Sequence, residues 1–179
     1  RIAKMKAIVA ELSKLSRSYK EGRLVKDGVT TVIAGSPNAG KSSIMNAITG
    51  ESRAIVHHLP GTTRDVVESV ITLGGYLYRL RDTAGLRDSD CEVEKIGVER
   101  ARGEIGGADL VIYVIDGSRQ LNDDERERIS SLNSAISIAA INKSDLPQAF
   151  SPGDIGKIFD GIIVNVSAKN AEGIDEITF

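Results

Sequence analysis

Short apolar runs bounded by glycines or polar turns recur along this chain. Four of them, at residues 29–34, 110–115, 135–141 and 162–166, have the length of buried strands rather than of helices. Residues 66–73 and 76–81 also have strand-like patterns, and Gly74-Gly75 between them predicts a tight hairpin. Helical spacing predicts helices from residue 43 onward, near residues 92–105 and near residues 123–132.

The order of these elements predicts an α/β architecture. Strands and helices alternate after one early hairpin, which is typical of a mostly parallel sheet with helices on both faces. The hairpin adds one antiparallel edge strand to this six-stranded sheet. In such folds, ligands bind to loops that follow the carboxyl ends of the strands.

The first 27 residues have a different pattern. Apolar side chains recur there at helical spacing, at Ile2, Met5, Ile8, Val9, Leu12, Leu15 and Tyr19. Gly22 predicts the end of this helix, and Lys26-Asp27-Gly28 predicts a linker. The apolar stripe needs a partner, which is either the rest of the chain or a flanking helical domain. We therefore divide the sequence into a helix and linker, residues 1–27, and a second domain, residues 28–179.

Composition narrows the possible partners and compartments. The 179 residues suit one domain with a short extension. The chain has 23 Lys and Arg against 25 Asp and Glu, so it has no net positive charge that would favour binding of nucleic acid. The single cysteine, Cys91, excludes an internal disulfide and favours a reducing, cytoplasmic compartment. No apolar run approaches the ~20 residues of a membrane span, so we expect no membrane association. Because the chain starts at Arg1 rather than at Met, we expect it to be a piece of a larger protein.

The strand at residues 29–34 leads into a phosphate-binding pattern. Gly35-Ser36-Pro37-Asn38-Ala39-Gly40-Lys41-Ser42 matches G-x-x-x-x-G-K-[ST], and a helix is predicted from Ser43. The glycines let backbone N–H groups and a helix N-terminus point at a di- or triphosphate. We expect Lys41 to contact the outer phosphates and the Ser42 hydroxyl to bind Mg2+.

A second pattern, Asn142-Lys143-Ser144-Asp145, follows the strand at residues 135–141 and predicts which base is bound. The Asp145 carboxylate can accept hydrogen bonds from both donors on the edge of guanine, whereas adenine offers no such pair. We expect Asn142 and Lys143 to brace the loop and cover the base. Ser167-Ala168-Lys169, after the strand at residues 162–166, predicts a supporting base loop.

Asp82-Thr83-Ala84-Gly85 follows the strand at residues 76–81. Asp82 can bind Mg2+ through a water molecule, and the Gly85 N–H can donate a hydrogen bond to a γ-phosphate. Each short pattern is weak alone, but four of them in this order, each after a strand, predict a guanine-nucleotide-binding domain. The predicted fold class is therefore that of a Ras-like P-loop GTPase.

Residues 38–43, 61–65, 82–87 and 92–101 together resemble the MnmE (TrmE) family of tRNA-modification GTPases, part of the TrmE-Era-EngA-like group. The first three segments are shared with Era- and Der-like ribosome-assembly GTPases, which remain an alternative. The acidic segment at residues 92–101 favours MnmE. The resemblance covers roughly residues 31–177 and implies binding of GTP and GDP and hydrolysis of GTP to GDP and phosphate.

The resemblance also implies a potassium ion against the phosphates, in place of an arginine finger. Asn38 in the phosphate loop matches one ligand of this ion. The other implied ligands lie in the loop His57-His58-Leu59-Pro60-Gly61-Thr62, namely the carbonyl groups of His57 and Leu59, and Thr62. His57, His58 and Pro60 depart from the family pattern. Adjacent histidines without a third ligand are more often exposed than metal-bound, so a separate metal pair is disfavoured.

Magnesium and the attacking water have implied residues as well. Thr63 matches the family's second Mg2+ ligand. The resemblance implies that Thr63 and Ser42 bind Mg2+ together and so order the first switch, residues 57–63, around a triphosphate. Leu86 follows Gly85, at the position where small signalling GTPases usually place a water-orienting glutamine. Glu94 matches the family's catalytic glutamate, which takes over that role. If Glu94 is not catalytic, a slow, nucleotide-gated binding switch is the alternative.

The resemblance implies macromolecular partners. G domains of this family pair across their switch regions in the GTP or transition state, so a nucleotide-dependent homodimer is implied. The family modifies the tRNA wobble uridine together with a partner enzyme of the MnmG (GidA) kind. An Era- or Der-like protein would share the chemistry of GTP hydrolysis and differ in its partner.

Overall fold

We describe a computed structural model of the chain. It describes residues 22–51, 68–82 and 107–177. The predicted apolar stripe before residue 22 and the predicted helix at residues 92–105 lie outside the described residues.

A six-stranded sheet forms the centre of the fold. Its strands are β1 (Val29–Gly35), β2 (Glu68–Leu73), β3 (Tyr76–Asp82), β4 (Leu110–Asp116), β5 (Ser137–Asn142) and β6 (Ile162–Asn165). They are ordered β2-β3-β1-β4-β5-β6, and every neighbouring pair is parallel except β2 and β3. The predicted parallel sheet with one antiparallel edge strand is confirmed, and β1 lies at its middle, between β3 and β4.

The antiparallel edge results from the glycine pair that the sequence placed between two strands. Gly74 and Gly75 have φ angles of 55° and 86°. Two consecutive residues with positive φ are what a tight turn between antiparallel strands requires, and glycine adopts this conformation without steric cost. The predicted hairpin is therefore confirmed.

Helices cover both faces of the sheet, and their bounds are α1 (Lys41–Glu51), α2 (Asp123–Ser130) and α3 (Pro152–Ile155). Alternate residues of β1 point to opposite faces, as the strand period requires. Ile33 packs in one core with Ile44 of α1, whereas Val32 packs in the other with Ile129 of α2 and Ile155 of α3. These residues are buried completely. Because β1 packs against both cores, its position is fixed, and so is the start of the loop that follows it.

Local capping explains where α2 and α3 begin. The Asn122 side chain accepts a hydrogen bond of 2.8 Å from the Glu125 N–H, and acidic residues in the first turn suit the helix dipole. At α3, Ser151 and Asp154 form a capping box, with Pro152 at the first helical position. The sequence analysis did not predict α3, because four residues are too few for a helical period to be visible.

One boundary differs from the sequence prediction. Residues 22–27 are helical, so the predicted linker at Lys26 and Asp27 is wrong, whereas the predicted helix end at Gly22 adjoins residues outside the described part and stays a prediction. Gly28, with a φ of 83°, ends the helix and donates a hydrogen bond to the Leu24 carbonyl. At the other end, residues 175–177 form a 3-10 turn. Among the described helices, none is both long and apolar enough to span a membrane.

Candidate nucleotide-binding site

The phosphate loop lies between β1 and α1, at the carboxyl edge of the sheet's central strand. Three of its residues have positive φ angles: Gly35 (141°), Asn38 (61°) and Gly40 (98°). A Cβ atom at Gly35 would lie 2.2 Å from the Val114 carbonyl oxygen of β4. Glycine is therefore required there both by the turn and by the close approach of the neighbouring strand. The segment that matches the phosphate-binding sequence pattern therefore also has the backbone conformation that such a loop needs.

Lys41 lies inside the curve of this loop. Its side chain is largely buried, with 7% exposed. Its Nζ donates hydrogen bonds to the carbonyl groups of Gly35, at 3.0 Å, and of Ser36, at 2.8 Å. The ammonium group thus occupies the concave side of the loop, where a phosphate anion would meet it.

The oxygen ligands expected for Mg2+ lie on adjacent elements. Ser42 and Ser43 are exposed in the first turn of α1. Asp82 is the last residue of β3 and lies in register with Ile33 of β1. Hydroxyl and carboxylate oxygens are the donors that Mg2+ prefers, and the ion usually takes one or two of them together with phosphate oxygens. The donor chemistry and the position of these residues fit a magnesium ion beside the phosphate loop.

Asn142 begins the base loop, Asn142-Lys143-Ser144-Asp145, and joins it to the phosphate loop and to the supporting base loop, Ser167-Ala168-Lys169. It is buried at the end of β5. Its Nδ2 donates a 2.9 Å hydrogen bond to the Ala39 carbonyl, and its Oδ1 accepts a 3.0 Å hydrogen bond from the Ala168 N–H. One side-chain amide therefore contacts the predicted phosphate loop and the predicted supporting base loop, two segments that are far apart in the sequence. The sequence pattern predicted a bracing role for Asn142 but not the partner that it braces.

Asp145 is oriented by the supporting base loop. The buried Ser167 hydroxyl donates a 2.8 Å hydrogen bond to Asp145 Oδ1. Lys169 Nζ lies 4.0 Å from Asp145 Oδ2, but its side chain is 81% exposed, so this pair contributes little energy. The Ser167 contact holds the carboxylate in one orientation and leaves further acceptor positions for a base.

Lys143 has a φ of 67° and contacts a carboxylate that the sequence analysis did not single out. Its Nζ donates a 2.6 Å hydrogen bond to Asp116 Oδ2 at the end of β4. The Ser118 hydroxyl and N–H donate to the other oxygen, at 2.6 and 3.0 Å. Burial acts to raise the pKa of Asp116, but the hydrogen bonds from Lys143 and Ser118 outweigh it and hold that pKa below its usual value. Asp116 is therefore charged at neutral pH and fixes Lys143.

Sequence reasoning also missed the polar groups beneath the phosphate loop. Ser36 is buried, and its hydroxyl donates a 2.5 Å hydrogen bond to Oε1 of the buried Glu125 in α2. Burial raises the pKa of the nearby Tyr113 hydroxyl on β4, and Glu125 acts in the same direction, whereas Arg128 acts against it. The signal available in the sequence was that Glu125 lies four positions before Ile129, on the apolar face of the predicted helix. It was overlooked because Glu125 also belongs to the acidic first turn of α2, which is typical of an exposed helix start.

Several predicted site residues lie outside the described part of the chain. They are the first-switch segment His57, His58, Leu59, Pro60, Gly61, Thr62 and Thr63, the segment Thr83, Ala84 and Gly85, and Glu94. Their assignments remain predictions. The described part brings together Asn38, Ala39, Gly40 and Lys41 of the phosphate loop with Asn142, Lys143, Asp145, Ser167, Ala168 and Lys169 of the base loops.

Comparison with known proteins identifies the class of this site. Residues 30–143, more than half of the chain, match the protein family described as 50S ribosome-binding GTPase. This chain belongs to that family. It is therefore a GTPase domain.

Curated relatives agree with the resemblance seen in the sequence. The chain is 43% identical over 173 residues to the tRNA modification GTPase MnmE of Finegoldia magna, covering 96% of this chain and 38% of that protein. It is 42% identical over 168 residues to MnmE of Clostridioides difficile, covering 93% of this chain and 37% of that protein. The predicted resemblance to MnmE is confirmed, and the chain spans less than two fifths of the length of these relatives.

Solved structures share the fold. The G domain of the T. maritima FeoB iron transporter has a TM-score of 0.59 and 30% identity, covering 83% of this chain and 93% of that chain. A variant of Aquifex aeolicus Era bound to GDP and AlF4− has a TM-score of 0.57 and 24% identity, covering 83% of this chain and 54% of that chain. The second likeness concerns the fold alone.

Proposed function

We propose that this GTPase domain hydrolyses GTP with the help of a potassium ion and works within a protein that modifies the wobble uridine of tRNA. The observation that carries the cation proposal is the geometry of Asn38. It lies exposed at the tip of the phosphate loop with a φ of 61°, three residues before the buried Lys41. The tRNA role is supported by relatives named tRNA modification GTPase MnmE, and it includes an MnmG-like partner enzyme.

The fit of a monovalent cation rests on donor chemistry. The Asn38 carboxamide offers a neutral oxygen, and the first-switch segment offers the carbonyl groups of His57 and Leu59 and the Thr62 hydroxyl. Neutral oxygens suit a large, weakly hydrated cation that has to be released after each turnover. A potassium ion bound there would offset the negative charge that develops on the leaving phosphate. The role of the Asn38 side chain would be to bind this ion and to hold it in position against the phosphates.

Hydrolysis should be about tenfold faster in potassium, rubidium or ammonium salts than in sodium or lithium salts, which corresponds to ~1.4 kcal/mol of transition-state stabilisation. Asn38→Ala should remove this difference, because it removes the oxygen in the phosphate loop. Single-turnover hydrolysis at matched ionic strength measures the effect, and Asn46→Ala, an exposed asparagine of α1, is the control. A wild-type rate that is the same in all five salts would contradict the proposal.

Pairing of two G domains would complete such a site. Fixing any loop around a weakly bound ion costs about 1–2 kcal/mol of backbone entropy per residue. A second copy docking against the switches in the transition state would supply the missing stabilisation. We therefore propose a monomer without nucleotide or with GDP, and a homodimer with potassium and a transition-state mimic.

Glu94→Ala should keep this pairing and lower turnover by ~10²-fold, the usual effect of losing a positioned proton-handling group. Light scattering in the presence of GDP, aluminium fluoride and potassium reports the dimer, and single-turnover hydrolysis reports the rate. Glu92→Ala is the matched control, because it removes an acidic residue two positions earlier in the same segment. A Glu94→Ala variant that turns over at the wild-type rate would favour the slow binding switch. A monomer in every nucleotide state would remove the pairing proposal and leave an Era- or Der-like protein as the better hypothesis.

A further inference from the structure

Two residues outside the nucleotide motifs, Arg119 and Glu125, connect the phosphate loop with the base loop. Glu125 Oε1 accepts a hydrogen bond from the Ser36 hydroxyl at 2.5 Å and from Arg119 Nη2 at 2.7 Å. Arg119 Nε lies 3.6 Å from Asp116 Oδ2, the same oxygen that accepts the 2.6 Å hydrogen bond from Lys143 Nζ. A continuous series of contacts thus runs from the second residue of the phosphate loop to the second residue of the base loop.

The charges along this series alternate in sign. Glu125 and Asp116 are buried, with side chains 5% and 7% exposed, and the two cations, Arg119 and Lys143, lie against them. Glu125 Oε2 has no hydrogen-bond partner within the described residues. An uncompensated carboxylate in this place would be costly to bury and would repel the phosphates that the loop above it binds. Arg119 provides the compensation for Glu125.

We propose that Glu125 and Arg119 are positioning residues for nucleotide binding. Glu125 holds the phosphate loop through Ser36, and Arg119 neutralises Glu125 while linking it to Asp116 and so to Lys143. This link is separate from the one made by Asn142, which acts through backbone groups of Ala39 and Ala168. The inference rests on the GTPase activity alone and needs neither potassium nor a tRNA role.

Burial explains why this ion pair differs from an ordinary surface pair. Arg119 is 43% exposed, and a pair between two exposed side chains would contribute little. Its partner, however, is a carboxylate that the protein has already removed from water. Removing one member of such a pair leaves the other buried without its counter-charge, which costs more than the pair itself contributed.

Arg119→Ala should weaken GDP binding on the order of tenfold, a typical coupling between linked sites. GMP should be weakened less, because it lacks the β-phosphate that the phosphate loop holds. The measured quantity is the ratio of GDP to GMP affinity, from competition against a fluorescent guanine nucleotide. A role in general stability alone would lower both affinities equally, and that result would overturn the proposal. If Arg119→Ala does not fold, Ser36→Ala tests the same ratio, since it removes the hydroxyl through which the phosphate loop contacts Glu125.

Charge compensation gives a second test by rescue. Glu125→Gln keeps an acceptor oxygen for Ser36 and removes the negative charge, so the Arg119→Ala/Glu125→Gln double variant should bind GDP within about threefold of the wild type. Arg126→Ala, an exposed arginine of the same helix, is the matched control and should leave binding unchanged. A double variant as weak as Arg119→Ala would show that the charge of Glu125 is not what Arg119 balances, and would overturn that part of the proposal.

The link to the base loop is tested by a double-mutant cycle. If Arg119 acts through Asp116 on Lys143, its substitution should weaken GDP binding much less in a Lys143→Ala background than in the wild type. The coupling should be at least about threefold. Fully additive effects would mean that the series of contacts ends at Asp116, and would overturn the connection between the two loops.

Discussion

Asp145→Asn should convert this guanine site into one that prefers xanthine. The Asp145 carboxylate is fixed by the 2.8 Å hydrogen bond from Ser167 and is available to accept from guanine N1–H and the exocyclic amine. An asparagine would still accept from N1–H, but its amide group would face the amine with a donor. Xanthine has a carbonyl group at that position, so the new donor would find an acceptor.

The effect should be large because the exocyclic amine of guanine loses a charged acceptor and then faces a donor. The lost hydrogen bond costs about 1.5–3 kcal/mol and the unpaired donor about 1–3 kcal/mol more, so GDP affinity should fall by about 10²–10⁴-fold. Competition between GDP and XDP for a fluorescent nucleotide measures the change. Asp160→Asn, at an exposed position between α3 and β6, is the matched control and should leave both affinities unchanged. An Asp145→Asn variant that keeps wild-type GDP affinity and gains none for XDP would show that another residue recognises the base.

The sheet and its loops could be predicted from the sequence because their signals are local. Runs such as Ile112 to Ile115 are uniformly apolar, which only a strand covered on both faces tolerates. The phosphate loop combines glycines with Lys41, whose charge suits a phosphate, and the base loop combines Asn142 with Asp145, whose carboxylate suits guanine. The hairpin at Gly74 and Gly75 was equally local.

Features that depend on contacts between distant residues could not be predicted. Asn142 meets Ala39, which is 103 positions away, and Ser36 meets Glu125, which is 89 positions away. In the sequence, Glu125 belongs to an acidic helix start that is equally typical of a solvated surface. The helix at residues 22–27 was missed because a local signal conflicted with a distant contact. Gly22 is a local helix-ending signal, and the Arg23–Asp109 ion pair that ties this segment to the sheet is not visible in the sequence.

Gly40→Ala should separate the phosphate loop from the base loops and abolish tight nucleotide binding. Gly40 has a φ of 98°, and a Cβ atom there would lie 2.2 Å from Asn142 Nδ2. Alanine would therefore be strained at this φ, at a cost of roughly 1–2 kcal/mol, and would displace the amide that holds Ala39 and Ala168. Loss of those two hydrogen bonds adds about 1–3 kcal/mol.

Together these terms amount to about 2–5 kcal/mol and correspond to GDP binding that is about 30- to 5,000-fold weaker, measured by nucleotide titration alongside thermal unfolding. Gly50→Ala provides a matched control in the last turn of α1, where no atom lies within 4 Å of the added Cβ and φ is not positive. That variant should bind nucleotide normally and be more stable by roughly 0.5–1 kcal/mol, because alanine is favoured over glycine in a helix. A Gly40→Ala variant with wild-type GDP affinity would mean that the Asn142 bridge can be displaced without loss. In that case the ionic series through Glu125 and Arg119 would have to hold the two loops together.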